Sequence, residues 1–280
     1  MKQEARFKAT DWALILGASS GFGGATAIEL AKHGMNILGI HLDRAGTMPA
    51  VQQVIKEIEQ AGRKAVFFNI NAADPIKQDE VLDEIAEKFA KEPGSTVRVL
   101  MHSLAFGTLK RFVGKTPDEY VTKAQMEMTL DVMANSLVYW TQGLMLRNLM
   151  TKGGRIFAMT SSGGHTATPY YGAVSAAKAA LESHIRQLAM ELGPMGITAN
   201  AIMAGVTDTP ALKKIPGNTE MLNVAYAKNP GGRLTTPQDV AKAIALLSDE
   251  NAYWISGGTL GVDGGEDIVS YVGQKPGSQL

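Results

Sequence analysis

The sequence predicts one α/β domain, in which about seven parallel strands form a doubly wound sheet with helices on both faces. Three observations predict it. Short apolar runs alternate with helix-period segments along the 280 residues. The first apolar run leads directly into the glycine-rich turn GASSGFGG at residues 17–24. Hydrophobic residues make up 45% of the chain, which is enough for one large core. Alternation of strand and helix implies right-handed crossovers and hence parallel strands.

Each element has its own signal. A short, continuously apolar run is typical of a strand buried on both faces of a parallel sheet. Such runs predict strands at residues 12–16, 35–40, 65–68, 97–101, 155–159, 197–202 and 259–262. Apolar residues at helical spacing predict helices at residues 25–31, 51–58, 79–91, 117–150, 171–192 and 237–247.

The domain organisation follows from the same pattern. Residues 1–11 are expected to be an N-terminal extension, and residues 12–280 a single domain that carries the strands. The segment at about 207–233 is mixed polar and apolar and contains several glycines. Such a segment is typical of a mobile lid over a binding site.

Composition excludes several classes of function. The chain has 27 basic and 27 acidic residues, so no overall field attracts nucleic acid or an anionic membrane. No apolar run approaches the roughly 18 residues of a membrane span, and the first ten residues lack the apolar centre of a signal peptide. Without cysteine there is no disulfide, thiol nucleophile or thiolate metal ligand. We expect a cytoplasmic protein without a metal site.

The glycine turn indicates a dinucleotide. A strand, a glycine turn and a helix in this order direct free backbone N–H groups and a helix N-terminus at a phosphate. The spacing G-x-x-x-G-x-G differs from the commoner G-x-G-x-x-G, but glycine serves the same close approach to a pyrophosphate. The residues expected to bind the cofactor here are Gly17, Ser19, Ser20, Gly21, Phe22 and Gly23.

The tip of the second strand gives a mixed signal about the cofactor. A carboxylate at this point favours the ribose 2′-hydroxyl of NADH, whereas an arginine favours the 2′-phosphate of NADPH. The chain has His41 at the tip, followed by Asp43 and Arg44. Arg44 favours NADPH slightly, NADH stays open, and a solvated Asp-Arg pair in a loop explains the residues equally well.

A tyrosine and a lysine form the candidate acid/base pair. Tyr171 stands at the start of an alanine-rich helix and Lys178 lies seven positions later, nearly two turns on, so both share one face. The lysine charge is expected to lower the phenol pKa from about 10 towards working pH. By itself the spacing also fits a half-buried tyrosine near a solvated lysine.

Together these motifs resemble the short-chain dehydrogenase/reductase superfamily, from about residue 12 to residue 265. The matching pieces are GASSGFG, the Ser161 segment with its downstream Tyr and Lys, AGVTDT at 204–209 and VDGG at 262–265. The resemblance implies a Rossmann-type fold, a nicotinamide cofactor and a homotetramer.

Departures from that pattern narrow the resemblance. Most members carry Tyr-x-x-x-Lys, but the residue four before Lys178 is Val174. The usual Asn-Asn-Ala-Gly after the fourth strand is replaced by His-Ser-Leu-Ala at 102–105, and a usual helical asparagine by Met133. Ala204 stands in place of a usual proline. The Tyr-x6-Lys spacing with this loop resembles the enoyl-acyl carrier protein reductases of fatty acid synthesis, in the variant that keeps a short-chain glycine motif.

The wider spacing has a chemical reason. Reduction of an enoyl thioester sends hydride to Cβ, away from the carbonyl oxygen on which negative charge develops, so the proton donor must be displaced relative to the nicotinamide. By resemblance, Tyr171 stabilises or protonates the enolate oxygen, and Lys178 binds the nicotinamide ribose. Ser161 lies where relatives have either a serine or a second tyrosine, so its role stays open; Tyr170 is the less favoured phenol.

The resemblance also assigns binding residues. The adenine is expected at Asn71 and Ala72, the cofactor edge at Ser103 and Leu104, the carboxamide and phosphates at Gly205, Val206, Thr207 and Thr209, and the acyl chain at Ala105, Phe106, Gly107 and the lid. Acyl carrier protein is acidic, so either the cluster Lys110, Arg111 and Lys115 or the pair Lys213–Lys214 is expected at its docking rim. Coenzyme A as the carrier stays open.

Two other functions remain compatible with the sequence. One is a carbonyl reductase or alcohol dehydrogenase with a displaced tyrosine. The other is a non-catalytic dinucleotide-binding protein, which the absence of a tyrosine at 174 and of an asparagine at 133 allows.

Overall fold

The computed structural model describes residues 6–270. Residues 1–5 of the predicted extension and 271–280 of the predicted domain lie outside that range. The strands are β1 Asp11–Leu16, β2 Asn36–His41, β3 Ala65–Asn69, β4 Thr96–His102, β5 Arg155–Thr160, β6 Thr198–Ala204 and β7 Thr259–Val262. The helices are α1 Gly21–Lys32, α2 Met48–Gln60, α3 Pro75–Lys91, α4 Lys123–Leu130, α5 Ser136–Leu146, α6 Gly172–Leu192, α7 Asn218–Lys228 and α8 Pro237–Leu247.

All seven strands form one parallel sheet in the order β3-β2-β1-β4-β5-β6-β7. The strand order reverses at β1, which lies between β2 and β4, and Leu16 at its end pairs with Ile40 on one side and His102 on the other. A crevice beyond the strand ends at such a reversal is where sheets of this type bind ligands. The predicted fold class is confirmed, and the glycine turn lies at this crevice.

The core is divided by the sheet into two layers. Successive residues of a strand point to opposite faces, and those of β1 do so here. Trp12, Leu14 and Leu16 pack into one hydrophobic cluster with α3, α5 and α6. Ala13 and Ile15 pack into a second cluster with α1, α2 and α8. Both faces of the sheet are therefore covered, which explains why the strand sequences are apolar without alternation.

The predicted long helix at 117–150 is wrong in both its bounds and its continuity. Helix α4 begins only after Thr122, because Thr122 and Gln125 form a capping box. A π-helical turn at Asp131–Asn135 separates α4 from α5. The helix ends at Leu146, shortly before Asn148 adopts a left-handed backbone with φ 52°. The Thr-x-x-Gln pattern was the sequence signal for the true start.

Smaller differences concern three other segments. Helix α3 begins at Pro75, four residues before the predicted start, because the Asp74 carboxylate caps it by accepting the N–H groups of Ile76 and Lys77. Phe7 is buried in the second core cluster, so part of the predicted N-terminal extension belongs to the domain. The predicted lid contains α7. Within residues 6–270, no helix combines the length and the apolar character needed to cross a membrane.

Candidate functional site

The glycine turn between β1 and α1 is compact on one side and open on the other. A Cβ at Gly17 would lie 2.5 Å from the carbonyl oxygen of Ser103, so the turn packs tightly on the loop after β4. Gly21 has φ 55°, and a Cβ there would meet only the Cγ2 of Thr209, at 3.9 Å. Ser20 precedes α1 without a side-chain capping bond, which leaves the first N–H groups of the helix to a ligand.

The carboxylate of Asp43, rather than Arg44, is held close to the glycine turn. Burial raises the pKa of Asp43, but hydrogen bonds from Thr47, Ser19 and His41 outweigh it and the pKa is lowered overall. His41 Nδ1 lies 3.0 Å from the Asp43 carboxylate. The side chain of Arg44 is exposed. A fixed negative charge therefore lies beside Ser19, where an adenosine ribose would enter.

The two residues predicted at the adenine behave differently. Asn71 is exposed at the end of β3, and its side-chain oxygen accepts the N–H of Ala73. Ala72 is buried in the first core cluster, and its carbonyl accepts the indole N–H of Trp140 at 2.8 Å. Asn71 is thus placed to meet a ligand directly, whereas Ala72 supports the turn from behind.

Tyr171 lies at the first turn of α6 and reaches back to the end of β5. Its ring packs over Gly163, where a Cβ would lie 2.5 Å from Cε1, so only glycine leaves room for it. Burial raises the pKa of the Tyr171 phenol, and a hydrogen bond with the Ser161 side chain lowers it by less. The hydroxyl of Ser161 also accepts the N–H of Gly163 at 3.1 Å. Ser161 therefore orients both the phenol and the glycine beneath it.

Lys178 is buried on the same face of α6. Its ammonium donates a 2.6 Å hydrogen bond to the carbonyl of Met159 in β5. Burial lowers the pKa of Lys178 to about 8, while the nearby carboxylate of Glu182 acts in the opposite direction. The predicted lowering of the Tyr171 pKa by Lys178 is wrong, because burial dominates at the phenol.

The two positions that depart from the superfamily pattern meet at Gly107. A Cβ on Gly107 would lie 2.8 Å from the sulfur of Met133 and 2.8 Å from Cγ2 of Val174. The methyl group of Thr129 packs against Gly107 as well, and its hydroxyl accepts the N–H of Thr108 at 3.0 Å. The side chains at 133 and 174 thus form an apolar wall behind the loop after β4. Sequence reasoning noted both substitutions but missed their contact, which only the fold brings about.

The remainder of that loop is more open. Ser103 donates its backbone N–H to the carbonyl of Leu16, and Leu104 lies against Gly17. Ala105 and Phe106 are exposed, with 60% of Phe106 accessible. These positions agree with the predicted cofactor edge and acyl site, which stay predictions.

His102, at the end of β4, is fully buried and electrically neutral. Burial, with a smaller effect of the Lys178 charge, lowers the pKa of His102 to about 3. Its Nε2 lies 2.9 Å from the hydroxyl of Ser136, which donates to the carbonyl of Val132 in the π-helical turn. Asn135 of the same turn contacts His184 instead, so it does not replace the usual catalytic asparagine.

Tyr170, the alternative phenol, points away from Tyr171. It has φ 66°, in the left-handed region that a tyrosine seldom adopts. The guanidinium of Arg111 lies 5.3 Å from its ring centroid and donates to its hydroxyl at 3.3 Å. The ring of Phe112 packs against Gly172 beside it. Tyr170 therefore belongs to an outer cleft whose lining includes residues 110–113, 164–168 and 170.

The start of the lid lies over the glycine turn. Thr207 and Thr209 are buried. The hydroxyl of Thr207 donates to the carbonyl of Gly205, and the hydroxyl of Thr209 accepts the N–H of Leu212. The N–H of Val206 donates to Glu266 at 3.1 Å, a contact that the sequence did not predict. In the first basic cluster, the ammonium of Lys110 donates to the carbonyl of Asp118. In the second, the ammonium of Lys213 lies 3.3 Å from the carboxylate of Asp208.

These residues fit a nicotinamide dinucleotide. The open surface at Gly21, the uncapped start of α1 and the lid residue Thr209 form a cradle for a pyrophosphate. The adenosine would lie towards Asp43, and the nicotinamide towards Tyr171 and Lys178. Among the described residues, no group of three or more His, Asp or Glu side chains is arranged to hold a metal ion.

Known proteins show the same relationship. A family model described as Enoyl-(Acyl carrier protein) reductase matches residues 17–266. 1-Cyclohexenylcarbonyl-CoA reductase of Streptomyces collinus is 29% identical over 260 residues, 92% of this chain and 87% of that protein. A 3-oxoacyl-(acyl-carrier-protein) reductase of Synechocystis sp. is 28% identical over 257 residues, 90% of this chain and 95% of that protein.

A solved enoyl-(acyl-carrier-protein) reductase of Anaplasma phagocytophilum, in complex with NAD, superposes with TM-score 0.80 at 22% identity, over 97% of this chain and 96% of that chain. Solved structures of this fold include complexes with NAD and with NADP. The chain therefore belongs to the enoyl-(acyl carrier protein) reductase family within the short-chain dehydrogenases/reductases, and it is an oxidoreductase that uses a nicotinamide dinucleotide.

Proposed function

We propose that the chain reduces the trans-2 double bond of enoyl thioesters carried by acyl carrier protein or coenzyme A, as in fatty acid synthesis. One observation carries the proposal. The phenol beside Ser161 comes from Tyr171, seven positions before Lys178, while positions 133 and 174 pack as an apolar wall against Gly107. A homotetramer and a cytoplasmic location, which the family resemblance implies, belong to the same proposal.

The chemistry divides between cofactor and side chains. When bound, a reduced nicotinamide supplies a hydride to Cβ of the thioester. Tyr171 then stabilises and protonates the enolate oxygen, and its raised pKa keeps the phenol protonated at neutral pH. Lys178 binds the nicotinamide ribose and places a positive charge near the developing enolate. Ser161 keeps the phenol oriented.

The acyl chain would lie between the loop after β4 and the lid. Phe106 is exposed on that side, and Met133 and Val174 give the wall behind Gly107 an apolar lining. An apolar lining suits a fatty acyl chain better than a small polar ketone. The basic side chains near the site, Lys110 and Arg111 beside the loop and Lys213 and Lys214 in the lid, would face an acidic carrier.

A carbonyl reductase is the second candidate. The observation in its favour is a 3-oxoacyl-(acyl-carrier-protein) reductase that is as similar to this chain as the CoA reductase. In that reaction the carbon that takes up hydride bears the oxygen that takes up the proton. Tyr171 would then have to stand closer to the nicotinamide than the enoyl reaction requires.

Turnover of two thioesters separates the two candidates. Purified protein is mixed with NADH or NADPH and either crotonyl or acetoacetyl thioester, and oxidation of the cofactor is followed by absorbance. We expect oxidation with the crotonyl thioester and at least about tenfold less with the acetoacetyl thioester, a difference of about 1.4 kcal/mol in transition-state binding. Oxidation with the acetoacetyl thioester alone would assign the carbonyl reductase instead.

The contacts of Asp43 support a proposal about the preferred cofactor. The sequence favours NADPH through Arg44, but Asp43 is the residue held at the glycine turn, by Ser19, His41 and Thr47. A carboxylate there accepts a ribose 2′-hydroxyl and repels a 2′-phosphate. We therefore propose NADH as the preferred cofactor.

An Asp43→Ser variant tests this proposal. Removing the negative charge should raise kcat/KM for NADPH relative to NADH by about fivefold, since a like-charge contact of about 1 kcal/mol is relieved. Arg44→Ala is the matched control and should change the ratio less. If the wild-type protein prefers NADPH and Arg44→Ala abolishes that preference, Arg44 reads the phosphate and the proposal is wrong.

A further inference from the structure

The turn at residues 263–267, of sequence DGGED, contacts three separate segments around the site. It follows β7, the edge strand of the sheet. Asp263 and Glu266 are each only 8% exposed, which is unusual for carboxylates. Neither residue belongs to the catalytic or cofactor-binding set described above. Buried carboxylates need partners, and those partners show what the turn does.

Glu266 contacts the segment that leads into the lid. One carboxylate oxygen accepts the N–H of Val206 at 3.1 Å. The other lies against Gly205, where a Cβ would come within 3.0 Å of it. Thr235 closes the opposite side of Gly205. A glycine is needed at 205 because a Cβ there would collide with the hydroxyl of Thr235 and crowd the Glu266 carboxylate.

The same turn contacts the far end of the lid. Asn229, which directly follows α7, is buried, and its amide donates to the carbonyl of Asp263 at 2.7 Å. Its side-chain oxygen accepts the N–H of Gly231 at 2.8 Å. Burial raises the pKa of Glu266, and hydrogen bonds from Val206 and Asn229 offset part of that rise. Both ends of the lid therefore meet at the turn 263–267.

Asp267 connects the turn to a third segment. Its N–H donates to the Asp263 carboxylate at 2.8 Å, and its own carboxylate lies 3.1 Å from Nε2 of His165. His165 belongs to the loop that leads from β5 to Tyr171. A single short turn thus connects the beginning of the lid, its end and the segment that carries the catalytic phenol.

We propose that Glu266 is a positioning residue that ties the start of the lid to the turn that also holds its far end, and so fixes residues 206–209 over the cofactor. The inference rests on the proposed role of residues 207–233 as a lid. It has a definite consequence for Val206, whose N–H is held by the protein itself. Glu266 orders this segment before a cofactor arrives, which favours binding by reducing the conformational entropy that binding would otherwise cost.

Limited proteolysis and cofactor binding test the proposal without turnover. The lid contains exposed trypsin sites at Lys213 and Lys214. In Glu266→Ala we expect cleavage at these two sites to be about tenfold faster than in the wild type, and the Kd for NADH to rise about tenfold, because an ordering contact has been lost. Glu266→Gln keeps an acceptor for the Val206 N–H and should stay within about twofold of the wild type in both measurements.

Asp249→Ala is the matched control. Asp249 is also a carboxylate that accepts a backbone N–H, that of Asn251, but it lies near the start of β5, at the end of the strands away from the lid. It should lower the melting temperature without selective cleavage at Lys213 and Lys214. If Glu266→Ala does not fold, Glu266→Asp provides the comparison, because a side chain one methylene shorter retains the charge and loses its reach to Val206.

Two results would overturn the proposal. One is a Glu266→Ala or Glu266→Asp variant in which the lid is cleaved no faster than in Asp249→Ala. The other is tighter binding of NADH, which would make Glu266 a competitor of the cofactor for the Val206 N–H. Neither readout depends on the acyl substrate, so the proposed enoyl reduction can fail while this inference stands, and the reverse.

Discussion

Tyr171→Phe is expected to lower kcat for enoyl thioester reduction by about 10²–10⁴-fold, the usual contribution of a positioned general acid. The ring remains packed over Gly163, so the variant should fold like the wild type. Only the hydroxyl that interacts with Ser161 is lost. The Kd for NADH should change by less than about threefold, because the phenol acts on the acyl substrate. Steady-state kinetics and a fluorescence titration with NADH measure the two quantities.

Tyr170→Phe is the matched control for that substitution. It removes the neighbouring hydroxyl and with it only the hydrogen bond from Arg111. The phenol of Tyr170 lies on the outer cleft rather than beside Ser161, so its loss should leave kcat nearly unchanged. A large loss of kcat in Tyr170→Phe together with little loss in Tyr171→Phe would mean that the two adjacent phenols had been assigned the wrong way round.

Lys178→Met should abolish turnover and yet raise the folding stability of the cofactor-free protein. The ammonium is buried, and its pKa falls to about 8 from a model-compound value near 10.4. Below pH 8 the group is charged in both folded and unfolded states, and burying that charge costs the fold on the order of 3 kcal/mol. Methionine fills similar space without a charge, at the loss of the hydrogen bond to Met159.

The sign of the pH dependence follows from the same shift. Between about pH 8 and pH 10.4 the unfolded chain still binds a proton that the folded chain has released, so Lys178 makes the wild type more stable as pH rises through that window. Lys178→Met should lack this rise, and at pH 7 it should melt several degrees higher than the wild type. Thermal denaturation of both proteins at pH 7 and within that window measures the two effects. A lower melting temperature at pH 7 would show that the hydrogen bond to Met159 outweighs the burial of the charge.

The sheet could be predicted from the sequence because strand signals are local. Residues 12–16 are continuously apolar and lead into Gly17, and nothing beyond that run is needed to recognise a buried strand. The predicted helix at 117–150 failed for a different reason. Its true bounds depend on the capping box at Thr122, on the π-helical turn and on the left-handed Asn148, none of which alters the apolar periodicity.

The site was predictable only in part. Tyr171, Lys178 and the glycine turn have characteristic residue types and spacing; the first two lie beside the end of β5, and the turn follows β1. Contacts between distant segments were not visible. Met133 and Val174 meet only because α4, the π-helical turn and α6 pack around Gly107. The Val206–Glu266 bond joins residues 60 positions apart, which no local pattern records.

Where hydrogen is added to the substrate tests the central claim most directly. Crotonyl thioester is reduced with NADH that carries deuterium at the transferable position, in ordinary water, and the product is analysed by NMR. An enoyl reductase gives a butyryl thioester with deuterium at Cβ and a solvent proton at Cα, as expected if Tyr171 delivers its proton to an enolate. Failure to reduce the crotonyl thioester, together with deuterium on the hydroxyl-bearing carbon of a product formed from the acetoacetyl thioester, would contradict the account.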